Sequence, residues 1–177
     1  MKRFWTASFY HGKSADVSWR DAVDIIWRDC DLRQWLNEEF FAAAFSPEEQ
    51  ALIEPAYCTD NGEGCPDTED NVFLLSVAEV KAFTASLGKD WMTAVGTDYA
   101  KLKKPDGCSL YVYDKGEEVN YVLRNGQKLG CSWWWLRTQG NLPSRAHFIG
   151  TGCSIRSYAN VSLARDGVRP AIKLSYV

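Results

Sequence analysis

Histidine is almost missing from this chain: His11 and His147 are its only two, which excludes a histidine-rich zinc site and an HExxH metalloprotease helix. Cysteines are few as well. Cys30, Cys58, Cys65, Cys108, Cys131 and Cys153, with no CxxC pair among them, are too sparse over 177 residues for a disulfide scaffold. Buried, reduced thiols are expected, with Cys58 and Cys65, which bracket a short polar loop, as the one local pair placed to bridge. No apolar run approaches a membrane span, and Met1-Lys2-Arg3-Phe4-Trp5-Thr6 leads into polar sequence, not a secretory apolar segment. Neither an export address nor membrane insertion is expected. Both charge signs are mixed along a chain of net charge -3, so no basic face for nucleic acid or anionic lipid is visible. No Gly-x-Ser-x-Gly elbow occurs, and no histidine has a visible partner, so serine-hydrolase chemistry is unsupported.

What the chain has is rings. Eight Trp, eight Tyr and eight Phe, within a hydrophobic share of 46%, predict one soluble domain over residues 1–177 folded around an aromatic core.

From Asp31, the apolar residues Leu32, Trp35, Leu36, Phe40, Ala43 and Ala44 recur three and four apart and predict an inward-packed helix. Ser46-Pro47-Glu48-Glu49 combines an N-cap, a first-turn proline and a capping box, predicting a short second helix ending near Ile53. Residues 57–71 are turn-formers and acids and predict an exposed loop. Val72-Phe73-Leu74-Leu75 predicts a short strand entering a second capping box, Ser76-x-x-Glu79, and a helix to about Ser86. A fourth helical stretch is expected over about Thr97 to Lys103. Beyond Gly107 the character turns to β. Leu110–Tyr113 and Val119–Leu123 predict a hairpin, and Trp133–Leu136 and Val168–Leu174 predict two more strands. Helices first and an antiparallel β-rich second half is the α+β pattern.

Several segments in this order carry a resemblance: Leu32-Arg-Gln-Trp35-Leu36-Asn37-Glu-Glu-Phe40, Ala44-Phe45-Ser46-Pro-Glu-Glu49, Thr68-Glu-Asp70-Asn-Val-Phe73-Leu74-Leu75-Ser76, Tyr99-Ala100-Lys101, Trp134-Trp135-Leu136-Arg137 and Gly167-Val168-Arg169-Pro170-Ala171. Together they resemble bacterial and phage domains of the DUF6273 kind, related to the formylglycine-generating-enzyme (sulfatase-modifying factor) branch of the C-type-lectin-like fold. The likeness runs from about residue 19 to the end. It implies a C-type-lectin-like, formylglycine-generating-enzyme-like architecture. Such domains carry further β-strand sequence before the first helix than the roughly thirty residues present here, so a trimmed N-terminal edge is expected.

The resemblance extends to the variable proteins of diversity-generating retroelements, in which a reverse transcriptase rewrites adenine positions near the end of the gene. It implies a rigid, non-catalytic scaffold whose C-terminal loops present changeable side chains to a ligand, on a phage particle or a bacterial cell surface. Rewritten AAC or AAT codons yield every residue type except Lys, Glu, Gln, Trp and Met. Those types make up roughly a fifth of the chain, yet Gln139 is the only one between Thr138 and Ile172.

The remaining constellations divide between chemistry and structure. Trp133-Trp134-Trp135 offers a stacking platform for sugars or cations, but alternate rings of a strand favour the core. Trp135 is read as scaffold, and Trp134 is left open. Arg137 and Arg169 have forks that match an anionic ligand, and are read as internal residues that hold loop bases. The acidic loop Asp60, Asn61, Glu63, Asp67, Glu69 and Asp70 offers oxygens of the kind calcium takes, though its spacing fits no EF-hand and a solvated loop is the plainer reading. No cofactor is assigned, and calcium is the only ion considered. Cys131 and Cys153 lie far apart in sequence with nothing nearby to depress a thiol pKa, so the oxidase chemistry of the formylglycine-generating relatives is not carried over. A calcium-dependent carbohydrate binder and a thiol-dependent oxidase stand as the alternatives to a non-catalytic binder.

The candidate contact residues are Thr138, Gln139, Asn141, Leu142, Ser144, Arg145, His147, Arg156, Ser157, Tyr158 and Asn160. This mixture of small polar, Tyr and Arg side chains is similar to that of antibody paratopes and leans toward a protein ligand over a glycan.

Overall fold

Capping decides where the helices begin. Cys30 caps α1 (Asp31–Trp35) with its sulfur, which accepts from the Arg33 amide at 3.4 Å. The helix widens into a π-turn over Leu36–Phe40 before resuming as α2 (Phe41–Ala44). In a π-turn residues five apart stack, and the rings of Trp35 and Phe40 lie 5.2 Å apart. The capping box at Ser46 starts α3 (Pro47–Gln50), and that at Ser76 starts α4 (Val77–Leu87), each Ser side chain bonded to the amide of the Glu three residues on and each Glu returning a bond. The computed structural model describes residues 24–102, 110, 121–161, 163 and 166–175, the side chains of Tyr99, Tyr121, Val122, Arg124 and Lys128 apart.

The strands are β1 (Ile53–Glu54), β2 (Ala56–Cys58), β3 (Thr68–Asp70), β4 (Tyr121–Arg124), β5 (Gln127–Gly130), β6 (Trp134–Gln139), β7 (Arg145–Ile149), β8 (Ile155–Asn160) and β9 (Lys173–Leu174). They form antiparallel pairs β1–β9, β2–β3 and β4–β5 and a three-stranded antiparallel sheet β6–β7–β8. The chain is thus α+β, with helices in its first half and antiparallel sheet dominating its second. No helix among the described residues is long and apolar enough to cross a membrane.

Four expectations are revised. Residues 57–71 are not one exposed loop, because β2 and β3 pair across them and bury Asn61, Thr68 and Asp70. Val72–Leu75 makes only a single bridge, Phe73 to Ala171, although Val72 and Leu74 are fully buried. The Val168–Leu174 strand shrinks to β9, and the fourth helix to α5 (Asp98–Lys101). In the 110–123 hairpin, residues 111–120 lie outside the described residues. The hairpin that is described, β4–β5, turns at Asn125-Gly126, both with positive φ (51° and 77°), as a tight primed turn requires.

The pleat of β6 explains the triple tryptophan. Trp135 pairs with Phe148, and Trp134 with Ile149, so the two rings face opposite sides. Trp135 joins a core with Trp27, Leu32, Leu36 and Phe148, while Trp134 joins a second with Val80, Met92 and Leu136. Each of these fully buried side chains stabilises by about 1.5–3 kcal/mol. The sheet is therefore covered on both faces, and Trp134, with its indole N–H bonded to the Met92 carbonyl at 2.9 Å, is scaffold.

Candidate functional site

Two buried polar hubs hold the sheet in place. Asp70, 1% exposed, accepts from Trp27 Nε1 (3.0 Å), Arg33 Nε (2.6 Å) and Thr68 Oγ1 (2.7 Å). Beside it, Asn37 Oδ1 accepts from the Asn71 amide and its Nδ2 donates to the Val72 carbonyl, tying the first helix to the chain after β3. Arg137, 1% exposed, donates to Asn61 Oδ1 (2.9 Å), the carbonyls of Leu74 (2.6 Å) and Thr59 (2.8 Å), and both oxygens of Glu79. Its guanidinium also lies 5.7 Å from the Phe73 ring centre. Arg169 is held between Trp91 and Trp134, 5.2 and 4.9 Å from their ring centres, and donates to the Trp91 carbonyl. Arg169 is partly buried, with its cation held on two rings, whereas Arg137 is spent on the interior. Asp70 and Asn61 spend oxygens in the same way, which takes two members of the acidic loop away from any calcium ion.

Around this frame the eleven expected contact residues part company. Pleat alternation places Phe148, Arg156 and Tyr158 on one face of the sheet, since Phe148 pairs with Arg156 and its ring meets Tyr158 edge-on at 5.4 Å. His147 and Ser157 alternate to the other face. The His147 Nδ1 lies 2.7 Å from the Gln139 carbonyl, which makes Nδ1 the protonated nitrogen. Thr138 is a correction: 7% exposed, its hydroxyl donates to the Asp60 carbonyl and accepts from the Val77 amide. It fixes the start of α4 and is not available to a ligand. Gln139 is half-buried against the same loop, with its amide bonded to Asn61. Asn141, Leu142, Ser144 and Arg145 form the β6–β7 turn, where the Asn141 amide bonds the Ser157 carbonyl and the Arg145 side chain reaches Asn141 Oδ1 at 3.3 Å. Asn160, at the end of β8, is half-buried opposite Arg145.

What the structure does bring together is a hollow of about 360 Å³ lined by Trp133, Phe148, Thr151, Ser154, Arg156 and Tyr158. Trp133 stacks obliquely on Phe148 at 5.6 Å, so three rings run in sequence across the sheet. Tyr158 is 54% exposed. Arg156 leans over the rim, its Nε bonded to Ser154 Oγ at 3.0 Å. Flat apolar surface next to a charged fork and small hydroxyls suits non-covalent recognition. Trp133, Phe148, Thr151 and Ser154, which also line the hollow, are not among the expected contact residues, and the buried Ala146 and Phe148, two apart, are the sequence mark of β7.

A second, larger cavity of about 550 Å³ is mainly apolar, walled by Trp35, Phe40, Leu110, Val168 and, again, Trp133. Among the described residues that line either cavity there is no Asp, Glu, His or Cys. The thiols of Cys30, Cys58, Cys65, Cys131 and Cys153 are free, which removes the Cys58–Cys65 bridge. Burial raises the pKa of all five, to about 12 for Cys30 and Cys58. Among the described residues no group of His, Cys, Asp and Glu is placed to hold a metal ion.

Fold and site together define an α+β domain that carries a ring-lined surface hollow on a doubly covered antiparallel sheet. The chain belongs to the family described as a domain of unknown function, DUF6273, which matches residues 7–176. No curated protein and no solved structure matches it.

Proposed function

We propose that this protein is a non-catalytic ligand-binding domain of C-type-lectin-like architecture, related to the formylglycine-generating-enzyme branch. In this reading it presents the outer part of the β6–β8 sheet to a protein or glycan ligand, as the variable proteins of diversity-generating retroelements do. One observation carries the reading. Apart from Trp133, the whole lining of the hollow comes from residues 138–172, the stretch that is nearly free of Lys, Glu, Gln, Trp and Met. The frame beneath that stretch is rigid, because Arg137 and Asp70 are saturated with internal bonds. A surface that changes while its support does not is what diversified recognition needs. The raised thiol pKa values speak against the oxidase alternative, since the thiolate is the reactive form.

The test is the DNA around the gene. The reading expects a reverse-transcriptase gene and a near-copy of the codons for residues 138–172 that differs mainly at adenines. Differences should fall at exposed positions such as Asn141, Leu142, Arg156 and Tyr158 and spare the buried Ala146, Phe148, Ile149, Ala159 and Val161. A locus with neither element removes diversification and leaves a binder of fixed specificity. Differences concentrated at the buried codons would sink the display surface itself.

A further inference from the structure

The mixing of charge signs along the chain has one long interruption. All 23 Asp and Glu residues lie outside residues 119–165, while Arg124, Lys128, Arg137, Arg145, Arg156 and Arg165 lie inside. In a protein of net charge -3, the segment that builds the sheet β6–β8 is thus purely cationic. Arg137 is neutralised internally by Glu79. Arg145 and Arg156 are the two remaining described cations of the sheet, and Arg156 is the one that lines the hollow. Its Nε is held by Ser154, whereas its two terminal nitrogens make no bond to another described residue. Those two nitrogens form the fork that matches a carboxylate. No acid is among the described residues that line the hollow. Asp90 is felt by Cys153 in the β7–β8 turn, but Lys89 is felt there with the opposite sign, and Cys153 packs on the second core, across the sheet from the hollow.

We propose, resting on the reading of this face as a binding surface, that its ligand is an acidic segment of a protein. A carboxylate takes the Arg156 fork, and a neighbouring apolar or aromatic side chain lies in the hollow between Trp133 and Tyr158. A single unpaired fork favours carboxylate, because phosphate sites gather several cations. Apolar exposure favours protein. Leu142, next to the Asn141 whose amide bonds the Ser157 carbonyl, and Leu163, whose own amide bonds the Asn160 carbonyl, are 48% and 39% exposed, and such side chains find complements on a protein surface that a sugar or an oligonucleotide lacks. The paratope-like composition of the same strand points the same way.

The experiment is selection from a displayed random-peptide library on the whole protein. Titration of one enriched synthetic peptide, and of its Glu→Gln or Asp→Asn counterpart, against wild type, Arg156→Gln, Arg156→Glu and Tyr158→Ala follows. Enriched peptides should carry Asp or Glu next to an apolar or aromatic residue. Removing either charge should weaken binding about tenfold, one charge-assisted bond's worth, and Arg156→Glu should weaken it further. Thermal unfolding should be unchanged in the Arg156 variants, whose side chain is exposed, and lowered only slightly in Tyr158→Ala, which loses its edge contact with Phe148. Acid-free peptides that respond to Tyr158→Ala and not to Arg156→Gln would overturn the acidic ligand and keep the binding face. Binders indifferent to every variant would overturn the face as well. An oligonucleotide or a uronic-acid oligosaccharide that binds through Arg156 where no peptide is enriched would overturn the protein class.

Discussion

Glu79 and Arg137, 58 residues apart, are joined by two bonds of 2.6 and 2.9 Å, and the same Glu79 carboxylate closes the capping box by accepting from the Ser76 amide. One side chain therefore sets the start of α4 and the position of β6. The arginine end is buried and the glutamate end about a third exposed. Arg137→Ala should destabilise by about 3 kcal/mol, because it strands a carboxylate and the buried Leu74 carbonyl and releases the Thr59 carbonyl. Glu79→Gln, which keeps the shape and can still accept, should cost less. Urea denaturation of both variants checks this ordering, and equal losses would mean that the charge, not the shape of the pair, does the holding.

Gly140 closes the turn between β6 and β7. A Cβ there would run into the backbone carbonyl of Ser157 and the Arg145 side chain. Backbone cannot step aside as a side-chain tip does, so Gly140→Ala should cost roughly 1–3 kcal/mol. It should also disturb the Asn141–Ser157 bond. Loss of slow amide exchange at Asn141 is the readout, and wild-type protection in the variant would refute the close approach.

Asp166 is fully buried, and neither carboxylate oxygen has a hydrogen-bond partner. Burial raises its pKa from 3.8 to about 7. The unfolded chain ionises first, so the stabilisation present below about pH 4 is lost as pH rises toward 7 and changes no further above it. Asp166→Asn should therefore be more stable than wild type at pH 8 by up to a few kcal/mol, and the difference should close at pH 4. A constant difference across that range would place the charge elsewhere.

The thiols give a direct check on chemistry. With every described cysteine pKa raised by burial, iodoacetamide at pH 8 should modify each of them more slowly than free cysteine. A fast reaction at Cys131 or Cys153, located by peptide mass, would revive a thiol-based activity and count against a pure binder.

Local signals were read correctly where local physics decides the outcome. Both capping boxes and the apolar face from Leu32 to Phe40 depend on residues a turn apart, and they stand where the spacing puts them, whereas Ala43 and Ala44, expected on the same inward face, are exposed. The π-turn at Leu36–Phe40 left no such mark, because it arises from how Trp35 and Phe40 pack. Residues 138–160, taken for display loops, contain two strands. β7 alternates only briefly, with Ala146 and Phe148 inward before Ile149 breaks the period, and β8 mixes Ile, Arg, Ser, Tyr, Ala and Asn, because both faces of their sheet are covered. Asn125-Gly126, both with positive φ, is a hairpin signal carried by the sequence itself.

The sequence by itself determined the α+β order, the helix starts, the ring-rich core and the segregation of acids from residues 119–165, since each follows from composition or from neighbours along the chain. Only the tertiary structure decided which tryptophan faces which core, that Thr138 is buried, and that Trp133, Phe148, Arg156 and Tyr158 share one hollow. Those outcomes depend on strand register, and register is set by side chains that meet across the sheet from distant parts of the chain.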